Sequence, residues 1–119
     1  MKDFRQLNVW QRAHQVALGI YKLTRDFPKG ELYGLTSQMR RSSVSIAANI
    51  AEGCAQKTDA SFCRYLVIAL GSGAELDYYL LLSRDLGLVS ETNYESLQSD
   101  LTVVKKMLNS LIQKLSAKS

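Results

Sequence analysis

A chain of 119 residues with a formal net charge of +4 makes one domain, long enough to enclose a core without disulfide or metal staples. Two cysteines, Cys54 and Cys63, give neither a disulfide framework nor a metal-type pair, and M-K-D-F-R-Q-L-N at the N-terminus lacks the apolar run of a signal peptide. No stretch is read as approaching the roughly 20 apolar residues of a membrane span, so the expectation is a cytoplasmic protein with free thiols, no membrane role and no cofactor or metal.

Helical periodicity then runs through the chain. Asn8 is the expected N-cap of a first helix, whose seam is Val9, Ala13, Val16, Ile20, Leu23 and Phe27. It must end before Pro28, and Lys29-Gly30 completes the break. A second stripe, Trp10, His14, Ala17 and Tyr21, runs beside that seam. A broad core face and a contact with another subunit both account for it. The second helix is predicted from Leu35 to Glu52, with Gly53 as its C′ residue. Thr58 or Asp59 caps a third helix that reaches Leu86, closed by Gly87 and Leu88 in a Schellman-type ending.

The third helix is apolar on nearly every side. Phe62, Leu66, Ala69, Gly73, Leu76 and Leu80 form one seam, while Tyr65, Val67, Ile68, Leu70, Tyr78, Tyr79, Leu81 and Leu82 fill much of the rest. Such a helix is buried on more than one side, which predicts that part of it faces another chain. Ser90 caps the fourth helix, with the seam Tyr94, Leu97, Leu101, Val104, Leu108, Leu111 and Leu115. Its acids lie toward the start and its lysines toward the end, as the helix dipole favours. Four helices with short connections predict an all-α, antiparallel up-down-up-down four-helix bundle spanning residues 1–119.

The second helix carries an unusual polar stripe. Gln38, Arg41 or Ser42, Ser45, Asn49 and Glu52 step by three and four along one side. Folding the second and third helices back about residue 58 pairs positions whose numbers total roughly 116, by hairpin geometry. Arg41 then faces Glu75, Glu52 faces Arg64, and Ser45 faces Gly71 and Ser72. A buried or half-buried ion network that fixes register is preferred here to a ligand or catalytic site, because buried charges require partners.

The segment F-P-K-G-E-L-Y-G-L-T-S-Q-M-R-R-S-S-V-S-I-A-A-N-I-A-E-G, Phe27 to Gly53, together with A-L-G-S-G-A-E-L, Ala69 to Leu76, resembles the signature of the four-helix-bundle family encoded in intervening sequences of bacterial 23S ribosomal RNA genes. The matching positions are Gln38, Arg41, Ser45, Asn49, Glu52, Gly53, Gly71, Ser72 and Glu75. A proline common in the family just before the Asn49 segment is replaced by Ala47-Ala48, which leaves the helix straighter. The resemblance implies a four-helix protomer, often assembled into a closed pentameric ring. A related branch, the accessory variability proteins of diversity-generating retroelements, is basic, binds nucleic acid and partners a reverse transcriptase. By resemblance these become expectations here: a homo-oligomer with a pentamer favoured, DNA or RNA as ligand, and a reverse transcriptase as a candidate partner.

The case for catalysis is weak, and a reading as an enzyme using the Arg41, Asn49, Glu52 and Glu75 group stands well behind binding and assembly. The single histidine, His14, has no acid or nucleophile at useful helical spacing, and Gly71-Ser72-Gly73 lies inside a helix rather than in a phosphate loop. The charges are unevenly placed, however. In an up-down-up-down bundle one end gathers Lys2, Arg5, Arg12, Lys57, Arg64, Lys105, Lys106, Lys114 and Lys118 against Asp3, Glu52 and Asp59, a balance of +6. The remaining residues balance to −2. The expected nucleic-acid contacts are Arg5, Arg12, Lys57, Lys105, Lys106, Lys114 and Lys118, acting on phosphate with little base discrimination. A protein-binding scaffold with no nucleic-acid role is the alternative.

Overall fold

The computed structural model describes residues 2–117, so Lys118, one of the expected phosphate contacts, lies outside the described residues. Among the described residues the regular structure is entirely helical: α1 (Asn8–Thr24), α2 (Ser37–Cys54), α3 (Asp59–Asp85) and α4 (Glu91–Ala117). Short turns at Phe4–Gln6 and Lys29–Glu31 and a wider turn at Leu32–Thr36 complete it. The periodic seams become the core: Val9, Ala13, Val16 and Ile20 of α1, Ile46 and Ile50 of α2, Leu66, Ala69, Leu76 and Leu80 of α3, and Leu101, Val104, Leu108 and Leu115 of α4 all lie in one buried cluster.

The helix ends show which local signals decide the boundaries. Asn8 is the first residue of α1, not its cap: Leu7 holds the cap position without a side-chain bond. The capping side chain in this region is Asp3, whose carboxylate accepts from the Arg5 N–H at 3.1 Å ahead of the Phe4–Gln6 turn. The helix stops at Thr24, whose hydroxyl turns back to donate to the Ile20 carbonyl at 2.7 Å and accepts from Arg40 Nε at 2.9 Å.

The second helix starts two residues later than its periodicity implies, because Leu35 and Thr36 belong to the wide turn, which Gly34 kinks at φ −110°, ψ −110°. It also runs on past Glu52 to Cys54. Gly53 is therefore inside the helix rather than at C′, and its role is steric. A Cβ there would come within 2.8 Å of Phe62 Cδ1. Glycine lets α3 begin flush against the end of α2.

The remaining caps follow the sequence. Thr58 Oγ1 accepts from the Ser61 N–H at 3.1 Å, and Ser90 Oγ accepts from the Asn93 N–H at 3.1 Å. Gly87 has φ +75°, and the N–H groups of Gly87 and Leu88 donate to the carbonyls of Arg84 and Ser83, each at 2.9 Å. That is the Schellman pattern, with glycine taking the left-handed residue.

Each helix packs on two neighbours, α1 on α2 and α4, and α3 on α2 and α4. The result is an antiparallel four-helix bundle of 46 × 22 × 20 Å. The Lys2 N–H donates to the Cys54 carbonyl at 2.9 Å. This ties the N-terminal segment to the end that also holds the α2–α3 turn and the C-terminal part of α4.

One expectation needs correction. By length and composition α3 is apolar enough to cross a membrane, with a mean hydropathy of 1.3 over its best window. The excess apolarity has a structural account: Phe62, Leu66, Ala69, Leu76 and Leu80 fill the core, while Val67, Ile68, Tyr78 and Leu81 stand on the outer surface.

Candidate functional site

The polar stripe lies in the groove between α2 and α3. Its centre is a small hydrogen-bonded network. The hydroxyls of Ser45 and Ser72 are 2.8 Å apart, and Asn49 Nδ2 donates to both the carbonyl and the hydroxyl of Ser45, at 2.8 and 3.0 Å. Toward one end the Tyr79 hydroxyl reaches Gln38 Oε1 at 3.5 Å. Ser45 opposite Ser72 and Gln38 opposite Tyr79 both give facing numbers that total 117, against the expected 116 or so.

The register is thus close to that read from the sequence, but the ion network is not formed. Arg41, Glu52, Arg64 and Glu75 are all exposed, and no ion pair joins Arg41 to Glu75 or Glu52 to Arg64 among the described residues. The reason is geometric. Small residues bring the α2 and α3 backbones together at the centre, while the long side chains emerge on the outer flank of the groove. There an exposed ion pair gains little.

Tyr79 was counted in the sequence as apolar filling, yet it stands between these charges. Partial burial and then the Glu75 carboxylate push its hydroxyl above the ordinary tyrosine value, opposed by the Arg41 guanidinium. Its spacing of four from Glu75 and seven from Ser72 is the signal that places it on the same face.

The basic residues separate into two groups. Lys105 Nζ lies 2.9 Å from Asp77 Oδ2, with both side chains less than a third exposed. Lys105 thus bridges α4 and α3 rather than standing free, unlike the other lysines among the described residues that are expected to contact phosphate. The signal missed was Asp77, a carboxylate on the α4-facing side of α3. Arg5 is half-committed as well. It sits 3.5 Å from Asp3 Oδ1 and over the Phe4 ring at 4.6 Å.

Arg12, Lys106 and Lys114 are exposed and meet along the α1–α4 groove. One shallow concavity of about 620 Å³ is lined by Asn8, Gln11, Arg12, Gln15 and Met107. A second, of about 510 Å³, shares Asn8 and Met107 and adds Lys106, Ser110 and Lys114. The second is also lined by Leu7, Val9 and Leu111, so the two together make a trough with an apolar floor at one end, three cations, several amide side chains and no carboxylate in its lining. Further along the same groove the lining changes to Lys22, Asp26, Ser90, Asn93 and Ser96, where charge balances. Lys57 and Arg64 are exposed at the basic end but belong to the α2–α3 side, outside this trough.

The other α1 stripe is open. Phe4, Trp10 and His14 form an aromatic row: Phe4 meets Trp10 edge-on with ring centroids 4.8 Å apart, and Trp10 stacks on His14 at 4.9 Å and 8° between planes. The imidazole thus packs on a ring. The row leads into an apolar groove between α1 and α2, of about 490 Å³. Cys54 is buried, and burial is the main cause that raises its thiol pKa above the ordinary value. Among the described residues no cluster of metal-ligating side chains occurs.

Comparison with known proteins agrees with the fold. The family model described as 23S rRNA-intervening sequence protein matches residues 5–110. A crystal structure at 1.70 Å from Bacteroides thetaiotaomicron VPI-5482, of a protein with unknown function from the S23 ribosomal protein family, is similar over 88% of this chain and 95% of that one. It has a TM-score of 0.82 and 30% sequence identity. No curated protein matches the chain. With the family model covering residues 5–110, on the helices that carry the stripe and both grooves, the chain belongs to the 23S rRNA-intervening sequence protein family.

Proposed function

We propose that this protein is a non-enzymatic homo-oligomer that binds nucleic acid, DNA or RNA, through the basic α1–α4 trough. The observation that carries the reading is the meeting of Arg12, Lys106 and Lys114 in one groove with no acidic neighbour in its lining. Long flexible cations flanked by amide donors suit a phosphate backbone, whose oxygens accept from Arg, Lys, Asn and Gln. Among the described residues no rigid helix or ribbon projects from the bundle to enter a groove and read base edges, so the expected preference for sequence is low. Lys2 and Lys57, exposed at the same end of the bundle, extend the positive potential beyond the trough. The resemblance to ring-forming relatives favours a pentamer, in which the trough would be repeated around the assembly.

The test is fluorescence anisotropy of labelled RNA and DNA oligonucleotides titrated with protein at rising salt. Binding that falls linearly in log–log form with salt supports phosphate neutralisation. The apolar α1–α2 groove favours a second reading, a protein-binding scaffold, and a protein that ignores both nucleic acids at low salt would select it.

A further inference from the structure

Two apolar surfaces stay open on the protomer. One is the α1–α2 groove, where Trp10, His14, Leu18 and Tyr21 face Val44 and Ala48. The other is a ridge on α3, where Val67 is 52% and Tyr78 58% exposed. Between those two residues Gly71 has open space where a Cβ would stand. The groove belongs to α1 and α2, and the ridge to the helix diagonal to α1, so the two surfaces cannot cover each other within one chain.

The charges beside them are complementary. The α2 crest bordering the groove carries Arg41 and, eleven residues on, Glu52. The α3 ridge carries Glu75 and Arg64. All four are exposed, and none forms an ion pair among the described residues. The register fixed by Ser45–Ser72 sets Arg41 within one residue of the height of Glu75 and Glu52 within one residue of the height of Arg64, an offset of about 1.5 Å. Rotation about an axis parallel to the bundle preserves height. A neighbouring copy pointing the same way therefore presents its Glu75 nearly level with Arg41 and its Arg64 nearly level with Glu52.

We infer that the α3 ridge of one copy seats in the α1–α2 groove of a second copy, with Arg41 facing Glu75 of the partner subunit and Glu52 facing Arg64 of the partner subunit. This deepens the homo-oligomer half of the proposed function and is independent of nucleic acid. The contact is heterologous, since each copy uses one surface and leaves the other free for the next. The two surfaces are not diametrically opposed, so successive copies turn toward closure as a ring rather than a straight fibre. The α1–α4 trough takes part in neither surface and stays open.

Light scattering without nucleic acid tests the contact. At micromolar concentration wild-type protein should give a fixed multiple of 13.3 kDa. Arg41→Glu and Glu75→Arg each put like charges in contact and should weaken assembly by about tenfold or more. The double variant restores opposite charges and should recover wild-type mass. Circular dichroism should be unchanged throughout, since both side chains are exposed. In a Cys63→Ser background, Ala48→Cys mixed with Gly71→Cys should give disulfide-linked dimers that neither variant gives alone. A monomeric wild type, single reversals with unaltered mass, a double variant no better than the singles, or self-cross-linking of Ala48→Cys alone (a two-fold groove-on-groove contact) would each overturn the inference. Because the trough residues are untouched, loss of nucleic-acid binding with assembly intact would count only against the proposed ligand.

Discussion

The hydroxyls of Ser45 and Ser72 lie 2.8 Å apart across the α2–α3 groove, and this short polar contact marks the height at which the two helices approach most closely by small side chains. Asn49 holds Ser45 from the other side, so the three groups act as one network. Ser45→Ala and Ser72→Ala are each expected to cost about 1 kcal/mol. The double variant should cost less than their sum, because removing either hydroxyl already breaks the shared bond. Urea melts of the two singles and the double measure this, and strict additivity would show that the hydroxyls do not interact.

Gly53 is set by steric contact. With a Cβ at 2.8 Å from Phe62 Cδ1 and 3.1 Å from Tyr65 Cβ, Gly53→Ala should destabilise the bundle by about 1–3 kcal/mol, the usual cost of overpacking. Trimming the obstacle with Phe62→Leu should make Gly53→Ala cheaper than it is in the wild type. An equal cost in both backgrounds would place the clash elsewhere.

The Lys105–Asp77 pair, 2.9 Å apart and less than a third exposed, joins α4 to α3. Lys105→Ala should lose on the order of 1 kcal/mol or less of stability, as partly solvated pairs do. It should leave nucleic-acid affinity nearly unchanged. Lys106→Ala should do the reverse. Thermal melts and anisotropy on the two variants separate a structural lysine from a binding one.

Alkaline pH should weaken the fold in part through Cys54. Its thiol is 2% exposed, and burial raises its pKa above the ordinary 9.0. The folded state thus holds the proton to higher pH than the unfolded state. Its contribution to stability is complete below the ordinary value and is lost as pH rises through the raised one. Tyr79 shifts in the same direction and adds to the effect. Cys54→Ala should flatten the decline in denaturant midpoint above pH 9.0. An unchanged pH profile would remove Cys54 from the account.

Most of the fold could be read from the spacing of apolar residues, because burial in a helix has a period that survives in sequence. Thr58, Ser90 and Gly87 were legible for a similar reason: each cap needs one particular chemistry at one position. Asn8 and Gly53 carried the same chemistry as true caps, but the contacts that decide their roles are remote. Asp3 captures the N-terminal turn, and Phe62 arrives from the next helix. The α2–α3 register was close, since hairpin geometry fixes it to within a residue or so. What sequence could not supply was the direction of long side chains. Arg41, Glu52, Arg64 and Glu75 occupy the expected heights yet point to solvent, and Lys105 turns from the expected phosphate surface toward Asp77. Spacing fixes where a Cα stands, whereas the end of a lysine or arginine is placed by whichever charge and water lie within its reach.

The most direct test of the proposed nucleic-acid function is the affinity of a charge-reversed trough. The triple variant Arg12→Glu/Lys106→Glu/Lys114→Glu and the control Lys22→Glu/Arg25→Glu/Lys29→Glu at the opposite end carry the same total change in charge and are compared with wild-type protein. They would be titrated against one labelled RNA and one labelled DNA over a range of salt. The trough variant should lose nearly all binding and flatten the salt dependence by about one unit of slope for each phosphate contact removed, while the control keeps most of its affinity. Equal losses in the two variants, or no binding by wild-type protein at the lowest salt, would contradict the account.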